Sequence, residues 1–161
     1  FEESVTVAEM IWAQKEGELC LSYSGGLDSE YVLAVFRHLG MNITPVIMRT
    51  KYNHHETQYA FKYCQERNIK HRIIDLDYDD FIESGKFLEI ATEYKLAAFQ
   101  MPSNLWLLTQ MDGTILSGNS PPHLTLKDNT WYVDEQEPVF VQPSFFEKNN
   151  LKTREDVGGP M

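Results

Sequence analysis

The stretch ELCLSYSGGLDSEYVLAVFRHLG, residues 18–40, decides the fold of this chain. Its opening segment, residues 18–23, is short, largely apolar and followed by glycines, which favours a buried central strand over a helix. From Asp28 onward, apolar side chains recur at the spacing of one helical face, and Gly40 stands where a C-terminal helix cap belongs. The stretch therefore predicts a strand, a glycine-containing loop and a helix in succession.

Strands and helices continue to alternate beyond this stretch. Further strands are predicted at 43–48, 71–76 and 114–117, and shorter ones at 131–133 and 139–141. Helices are predicted from Thr6 to about Gly17, at 53–67, at 78–94 with a break near Gly85, and at 103–111. The spacing of a capping box at a helix N-terminus is found for Thr6 with Glu9 and for Asn53 with Glu56. The alternation predicts an α/β fold with a parallel sheet and right-handed crossovers.

Composition limits the class of protein. The chain has 161 residues, 42% of them hydrophobic, which suits one domain over residues 1–161. A formal net charge of −10 disfavours broad binding to nucleic acid or to an anionic membrane. There is no apolar run long enough to span a bilayer and no signal-peptide pattern, and the two cysteines lack zinc or redox spacing, so we expect a cytoplasmic protein.

The glycine loop carries the predicted chemistry. A parallel sheet binds ligands at the carboxyl ends of its strands, which is where residues 24–29 fall. Gly25 and Gly26 let a phosphate approach the main chain, and the N–H groups of the following helix attract anions. Asp28 suits Mg²⁺, which then bridges phosphate oxygens. We predict that the loop holds the phosphates of ATP or a close relative.

The same six residues also suit an ordinary tight turn with helix-capping Ser and Asp side chains. Against that alternative, a match at five specified positions, each with a typical usage near 7%, arises by chance in roughly one chain in a few thousand. The match also lies where a predicted strand meets a predicted helix. The phosphate-binding interpretation is therefore preferred.

The pattern SGGxDS after a first strand resembles the signature of the N-type ATP pyrophosphatases, or PP-loop superfamily, also grouped as adenine nucleotide alpha hydrolase-like. The matching residues are Ser24, Gly25, Gly26, Asp28 and Ser29. A looser likeness extends over residues 19–119, because members carry a glycine-containing turn after the fourth strand, as at Gly118 and Asn119. The resemblance implies a Rossmann-like, doubly wound (HUP-like), mostly parallel sheet of about five strands, with helices on both faces. Residues 120–161 are left as a variable C-terminal segment that faces the substrate.

The resemblance also implies a reaction and a site. Members cleave ATP between the α and β phosphates, adenylate a carbonyl or carboxylate oxygen, release pyrophosphate, and then displace AMP. The implied nucleotide-binding residues are Ser24, Gly25, Gly26, Leu27, Asp28, Ser29, Met48, Arg49, Gly118 and Asn119, with Asp28 and Ser29 catalytic and Asp28 the Mg²⁺ ligand. The partners are an adenine nucleotide and an unidentified small-molecule substrate that carries a carboxylate or amide, and a homodimer is compatible with the pattern.

The charges in and near the loop support part of this predicted reaction. The loop lacks the lysine of a GxxxxGK[ST] loop, which disfavours kinase-like chemistry at the γ phosphate. The charge of a triphosphate then has to be offset by cations from elsewhere, and Arg49, Lys51 and Lys127 follow predicted strand or loop ends near the same face, although each also suits a surface charge.

Two departures keep other functions open. Several family members carry an acidic residue soon after the fourth strand, and residues 117–123 contain none. Either Asn119, water or Asp128 takes the place of that acidic residue, or the domain is a nucleotide-binding module without turnover. The run His55-Glu56-Thr57 resembles the helix start of phosphoadenylylsulfate reductases, which bind a related nucleotide without splitting ATP. Neither Cys20 nor Cys64 sits where a reactive thiol is expected.

Three other groups of residues have both a functional and a structural interpretation. A metal site or a helix start fits the first group, His54 with His55 and Glu56. A contact to an amine or cation, or a solvated turn, fits the second group, Asp75, Asp77, Asp79 and Asp80. A substrate wall or an apolar core fits the third group, Trp131, Tyr132, Phe145 and Phe146, and in all three groups the structural interpretation is favoured.

Overall fold

The computed structural model describes residues 1–96, 99–117, 123–127, 130–134 and 148–149. The helices in these ranges are α1 Glu2–Gln14, α2 Leu27–His38, α3 His54–Glu66, α4 Tyr78–Glu83, α5 Lys86–Glu93 and α6 Met101–Leu108. The strands are β1 Leu19–Ser22, β2 Thr44–Arg49, β3 Arg72–Asp75, β4 Thr114–Ser117, β5 His123–Lys127 and β6 Thr130–Asp134. None of these helices is long and apolar enough to cross a membrane.

The sheet confirms the predicted α/β class. Four strands, in the order β3-β2-β1-β4, are parallel to one another. The register pairs Ser22 of β1 with Val46 of β2 on one side and with Ser117 of β4 on the other. The carboxyl ends of β1, β2 and β4 therefore lie along one edge of the sheet, as the doubly wound arrangement requires.

Helices cover both faces of the sheet. Successive side chains of a strand point to opposite faces, so Leu21 packs with α1, α2 and α3 through residues such as Phe36, whereas Cys20 packs with α5 and α6 through residues such as Ile90 and Leu105. The central strands are buried on both sides, which explains why their sequences are continuously apolar instead of alternating.

Strands β5 and β6 form an antiparallel pair of their own. The short strand predicted at 131–133 lies within β6. The sequence interpretation missed β5, because the two prolines before it, at 121 and 122, suggested a continuing loop. The strand predicted at 139–141 lies outside the described residues.

The predicted break near Gly85 is confirmed, since α4 ends at Glu83 and α5 begins at Lys86. The capping role predicted for Thr6 is wrong. Helix α1 already begins at Glu2, and the Thr6 Oγ1 donates a hydrogen bond back to the Glu2 carbonyl inside the helix. Thr6 is the fifth residue of α1, so it lies beyond the first-turn N–H groups that the side chain of an N-cap residue accepts from.

The turn into β4 crosses the start of β1 closely. Gly113 has φ +84°, and a Cβ there would lie 2.2 Å from the Glu18 carbonyl oxygen. The same carbonyl accepts a hydrogen bond of 2.8 Å from the Thr114 N–H. The crossing therefore depends on a residue without a side chain.

We expect Gly113→Ala to lower the free energy of unfolding by about 3 kcal/mol or more, because positive φ and backbone overlap act together. Gly40→Ala is the matched control, since Gly40 has φ +68° with nothing within 4 Å of an added Cβ. Gly40→Ala should lower the free energy of unfolding by about 1 kcal/mol, the effect of positive φ alone. Urea unfolding measures both; equal losses would show that the crossing has room for a methyl group.

Candidate functional site

The glycine loop turns sharply where β1 ends. Its first glycine, Gly25, has φ +83°, and a Cβ there would lie 2.8 Å from the Ala60 backbone nitrogen in the middle of α3. The loop thus presses against α3, and this contact leaves space for glycine alone. Gly26 differs, because its extended backbone, φ −79° and ψ 163°, is open to any residue.

Two serines brace the loop from inside. The Gly26 N–H donates to Ser24 Oγ at 3.2 Å, and Ser29 Oγ donates to the Gly26 carbonyl at 3.1 Å. The two hydroxyls are 3.2 Å apart. Ser29 has already used its proton, so Ser24 donates to Ser29 and the three bonds form a closed ring. In this conformation the hydroxyls hold the shape of the loop.

Helix α2 starts directly after this ring. Gly26 is its N-cap residue, and a glycine has no side chain with which to cap the first turn. The first-turn N–H groups and the positive end of the helix dipole therefore lie at the loop. Leu27 and Asp28 are exposed there, and Ser29 is buried. An anion-binding geometry results, with a carboxylate beside it.

The end of β2 lies level with the loop. Backbone groups of a parallel strand point alternately to its two neighbours. The Val46 carbonyl accepts from Tyr23 on the β1 side, and the Arg49 carbonyl accepts from Leu76 on the β3 side. The N–H and C=O of Met48 therefore face the β1 side, beyond the last residue of β1.

The turn after β2 is held by Thr50 and Asn53. The Asn53 side chain accepts from the Thr50 N–H at 2.8 Å and donates to the Met48 carbonyl at 2.9 Å. Thr50 Oγ1 in turn accepts from the N–H groups of Tyr52 and Asn53. The capping box predicted for Asn53 and Glu56 is therefore wrong: Asn53 is the N-cap by position, but its side chain turns back to β2 instead of capping α3.

A cavity of about 680 Å³ opens at these strand ends. Its size falls within the range of small-molecule sites. It lies between the ends of β1 and β2, the start of α3, helix α4 and helix α6. The lining residues are Ser22, Tyr23, Ser24, Met48, Thr50, Tyr52, Asn53, His55, Glu56, Thr57, Tyr78, Asp79, Ile82, Phe99, Gln100, Ser103, Asn104 and Leu107.

An aromatic wall, defined as Tyr52, Tyr78 and Phe99, forms one side of this cavity. The Tyr78 ring centroid is 6.2 Å from that of Tyr52 and 6.0 Å from that of Phe99. Tyr52 and Phe99 are nevertheless 59% and 64% exposed. The sequence interpretation missed these three residues. Two of them could have been found, because Tyr52 follows the carboxyl end of β2 and Tyr78 follows that of β3.

Of the residues predicted for the site, Ser24 and Met48 line the cavity. Arg49 lies elsewhere: its guanidinium donates to both Asp75 carboxylate oxygens, at 2.6 and 2.9 Å, beside a separate depression of about 430 Å³. The hydrogen bond from Arg49 holds the pKa of Asp75 below its usual range. Lys51 is also paired, with Asp79.

The described cavity lining is therefore without lysine or arginine and includes the carboxylates of Glu56 and Asp79. A polyanion bound there requires a counter-cation. Gly118, Asn119 and Asp128 lie outside the described residues, as do Phe145 and Phe146, and nothing is described of the side chains of Lys127, Trp131 and Tyr132. Strand β4, which leads to Gly118, does end beside β1.

The acidic group has structural roles. The Asp77 side chain caps α4 by accepting from the N–H groups of Asp79 and Asp80, at 3.2 Å each. Asp79 accepts from Tyr52 and Lys51. Across the described ranges, no group of three His, Cys, Asp or Glu residues is placed to hold a metal ion.

Neither cysteine is a nucleophile in this structure. Cys20 lies in β1 and Cys64 in α3, and both are fully buried. Burial raises the pKa of each thiol to about 11. At neutral pH both groups are protonated, so the described part of the site offers no thiolate for sulfur transfer or reduction.

No protein-family profile and no curated protein sequence matches this chain. Solved structures do match. A "predicted subunit of tRNA methyltransferase" from Methanocaldococcus jannaschii matches with a TM-score of 0.51 and 16% identity, over 84% of this chain and 65% of that one. An NH3-dependent NAD synthetase from Campylobacter jejuni, in complex with nitrate, matches with a TM-score of 0.42 and 21% identity, over 68% of this chain and 46% of its own. The chain thus spans less than two thirds of either protein, and the first likeness shows a shared α/β fold.

We expect both thiols to be unreactive toward a disulfide reagent such as Ellman's at pH 8, because a thiol with a pKa of about 11 is about one part in a thousand ionised. The absorbance of the aromatic thiolate that the reagent releases should not rise for native protein, and after unfolding in guanidinium it should correspond to two thiols per chain. Rapid titration of either thiol in the native state would contradict this burial.

Proposed function

We propose that this chain binds ATP with Mg²⁺ and cleaves it between the α and β phosphates to adenylate a second substrate. The observation that carries the proposal is the continuity of the site. One cavity runs from Ser24, at the anion-binding start of α2, to the Met48 backbone at the end of β2. A nucleotide needs both ends: a phosphate site and, one strand away, hydrogen-bonding groups for a base.

The phosphate end has the required chemistry. A polyphosphate at Ser24 to Ser29 meets the first-turn N–H groups of α2, and Gly26 presents backbone without a side chain in the way. Asp28 is exposed in the same turn. Mg²⁺ keeps several waters and takes one or two carboxylates plus phosphate oxygens, so a single aspartate fits it. The metal supplies the positive charge that the lining lacks.

The base end is apolar on one side and polar on the other. The aromatic wall offers ring faces and edges to a planar group, and such contacts contribute about 0.5–1.5 kcal/mol beyond burial. Near the end of β2, the Met48 backbone offers a donor and an acceptor. These features favour a nucleobase at the end of β2.

The proposed reaction is the one that the resemblance to the PP-loop family implies. An acceptor oxygen of a carbonyl or carboxylate substrate attacks the α phosphorus, the bond to the β-phosphate oxygen breaks, and pyrophosphate leaves with the electron pair. Asp28 would hold a Mg²⁺ ion, which would supply positive charge to offset that of the leaving group, and Ser29 braces the loop through its bonds to Ser24 and Gly26. A nucleophile then displaces AMP.

A second candidate is binding of a phosphoadenylylsulfate-like nucleotide. The run His55-Glu56-Thr57, which resembles the helix start of those reductases, does line the cavity. The two buried thiols give no support to reduction by the described residues. A nucleotide-binding module without turnover is the third candidate, and it differs from the first only in giving no product.

We expect Mg·ATP to bind, and Gly26→Val to weaken it by at least about tenfold, because a branched side chain would stand where phosphate approaches the backbone. The fold should survive, since the Gly26 backbone is extended and an added Cβ meets only Ser24 Oγ, at 3.3 Å. Ala34→Val, on the exposed face of α2, is the control for added volume. Calorimetry showing the same ATP affinity in Gly26→Val and wild type would refute the loop assignment.

We expect any turnover to yield AMP and pyrophosphate, because no lysine in the loop addresses the γ phosphate. Chromatography of nucleotide products, with candidate carboxylate and amide substrates added, makes the measurement. An Asp28→Asn preparation purified in parallel reports contaminating ATPase. If ADP and phosphate were the main products, and disappeared in Asp28→Asn, the adenylation mechanism would be wrong.

A further inference from the structure

We infer that Asn53 is a specificity-determining residue: it positions the Met48 peptide group so that the cavity prefers a 6-aminopurine to a 6-oxopurine. This rests on the proposed function, because it concerns the base of the same nucleotide. The supporting observation is a set of hydrogen bonds from one side chain, which ties the end of β2 to the start of α3.

The orientation of the Asn53 amide is fixed by its partners. Its oxygen faces the Thr50 N–H at 2.8 Å, and its nitrogen faces the Met48 carbonyl at 2.9 Å. Reversing the amide would set N–H against N–H and oxygen against oxygen. The side chain therefore donates to Met48, and in doing so it fixes the direction of that carbonyl.

Met48 then presents a defined pair of groups. Its N–H and the remaining lone pair of its carbonyl face the β1 side of the strand, and Met48 lines the cavity. A 6-aminopurine offers a ring-nitrogen acceptor beside an amino donor, which complements this pair. A 6-oxopurine offers a ring N–H beside an oxygen, which places donor against donor and acceptor against acceptor.

The side chain can be changed without unmaking the helix start. The Asn53 backbone carbonyl accepts from the N–H groups of Glu56 and Thr57, at 3.1 and 3.0 Å, and these bonds do not involve the side chain. Asn53→Asp and Asn53→Ser keep an acceptor for the Thr50 N–H and remain good N-cap residues. Aspartate has no N–H to donate to the Met48 carbonyl, and serine replaces the separate oxygen and NH2 of the amide with one shorter hydroxyl, so both changes weaken the bond to Met48; the first adds charge and the second does not.

The experiment measures the affinities of Mg·ATP, Mg·ITP and Mg·tripolyphosphate by calorimetry. Wild type should bind ATP at least about tenfold more tightly than ITP, a difference of about 1.4 kcal/mol. In Asn53→Ser and Asn53→Asp that ratio should fall to about threefold or less. Asn42→Asp, which adds the same charge at an exposed position before β2 and outside the described cavity lining, should keep the wild-type ratio. Thermal unfolding checks that each variant is folded.

The outcomes separate the two proposals. An unchanged ATP-to-ITP ratio in folded Asn53→Ser would overturn the role of Asn53, while tripolyphosphate binding would still support the phosphate site. An equal fall of the ATP-to-ITP ratio in Asn42→Asp would assign the effect to added charge and would also overturn the role of Asn53. If wild type bound neither ATP nor tripolyphosphate, the proposed function itself would be refuted.

Discussion

The close packing of the glycine loop against α3 is the constraint on which the site depends. At Gly25 the loop backbone meets the Ala60 backbone, and a single added carbon would overlap it. This contact fixes the loop relative to α3. The start of α3 is tied in turn to the end of β2 through Asn53. The two parts of the cavity to which we assign phosphate and base are thus joined through one helix.

The parallel sheet brings these parts to one edge. In an antiparallel arrangement the ends of β1 and β2 would lie at opposite edges, and no cavity could connect them. Helices on both faces then close it: α3 from one side, α4 and α6 from the other. The described cavity lining lacks positive charge, since it contains no lysine or arginine, and both Arg49 and Lys51 are paired with an aspartate. That lack of positive charge is the physical reason why we propose Mg²⁺ beside Asp28.

The features predicted correctly are those that depend on local pattern. The strand, glycine loop and helix around residues 18–40 need only apolar periodicity and two glycines, and the alternation beyond them gave the α/β class. Features that depend on partners distant in sequence were missed. Arg49 meets Asp75 because the β2–β3 register sets them opposite each other, and Phe99 reaches Tyr78 from the connection before α6. The Asn53 side chain bonds to β2 rather than to its own helix, which spacing alone does not reveal.

The most direct test of the proposed nucleotide site is an amide-resolved NMR titration with Mg²⁺ and an ATP analogue that carries a methylene between the α and β phosphates. We expect shift changes to concentrate on Gly25, Gly26 and Leu27 at the loop and on Met48 and Thr50 at the end of β2, with saturation at a common ligand concentration. Changes confined to the depression at Arg49 and Asp75, or scattered without saturation, would contradict a site that joins the loop to β2.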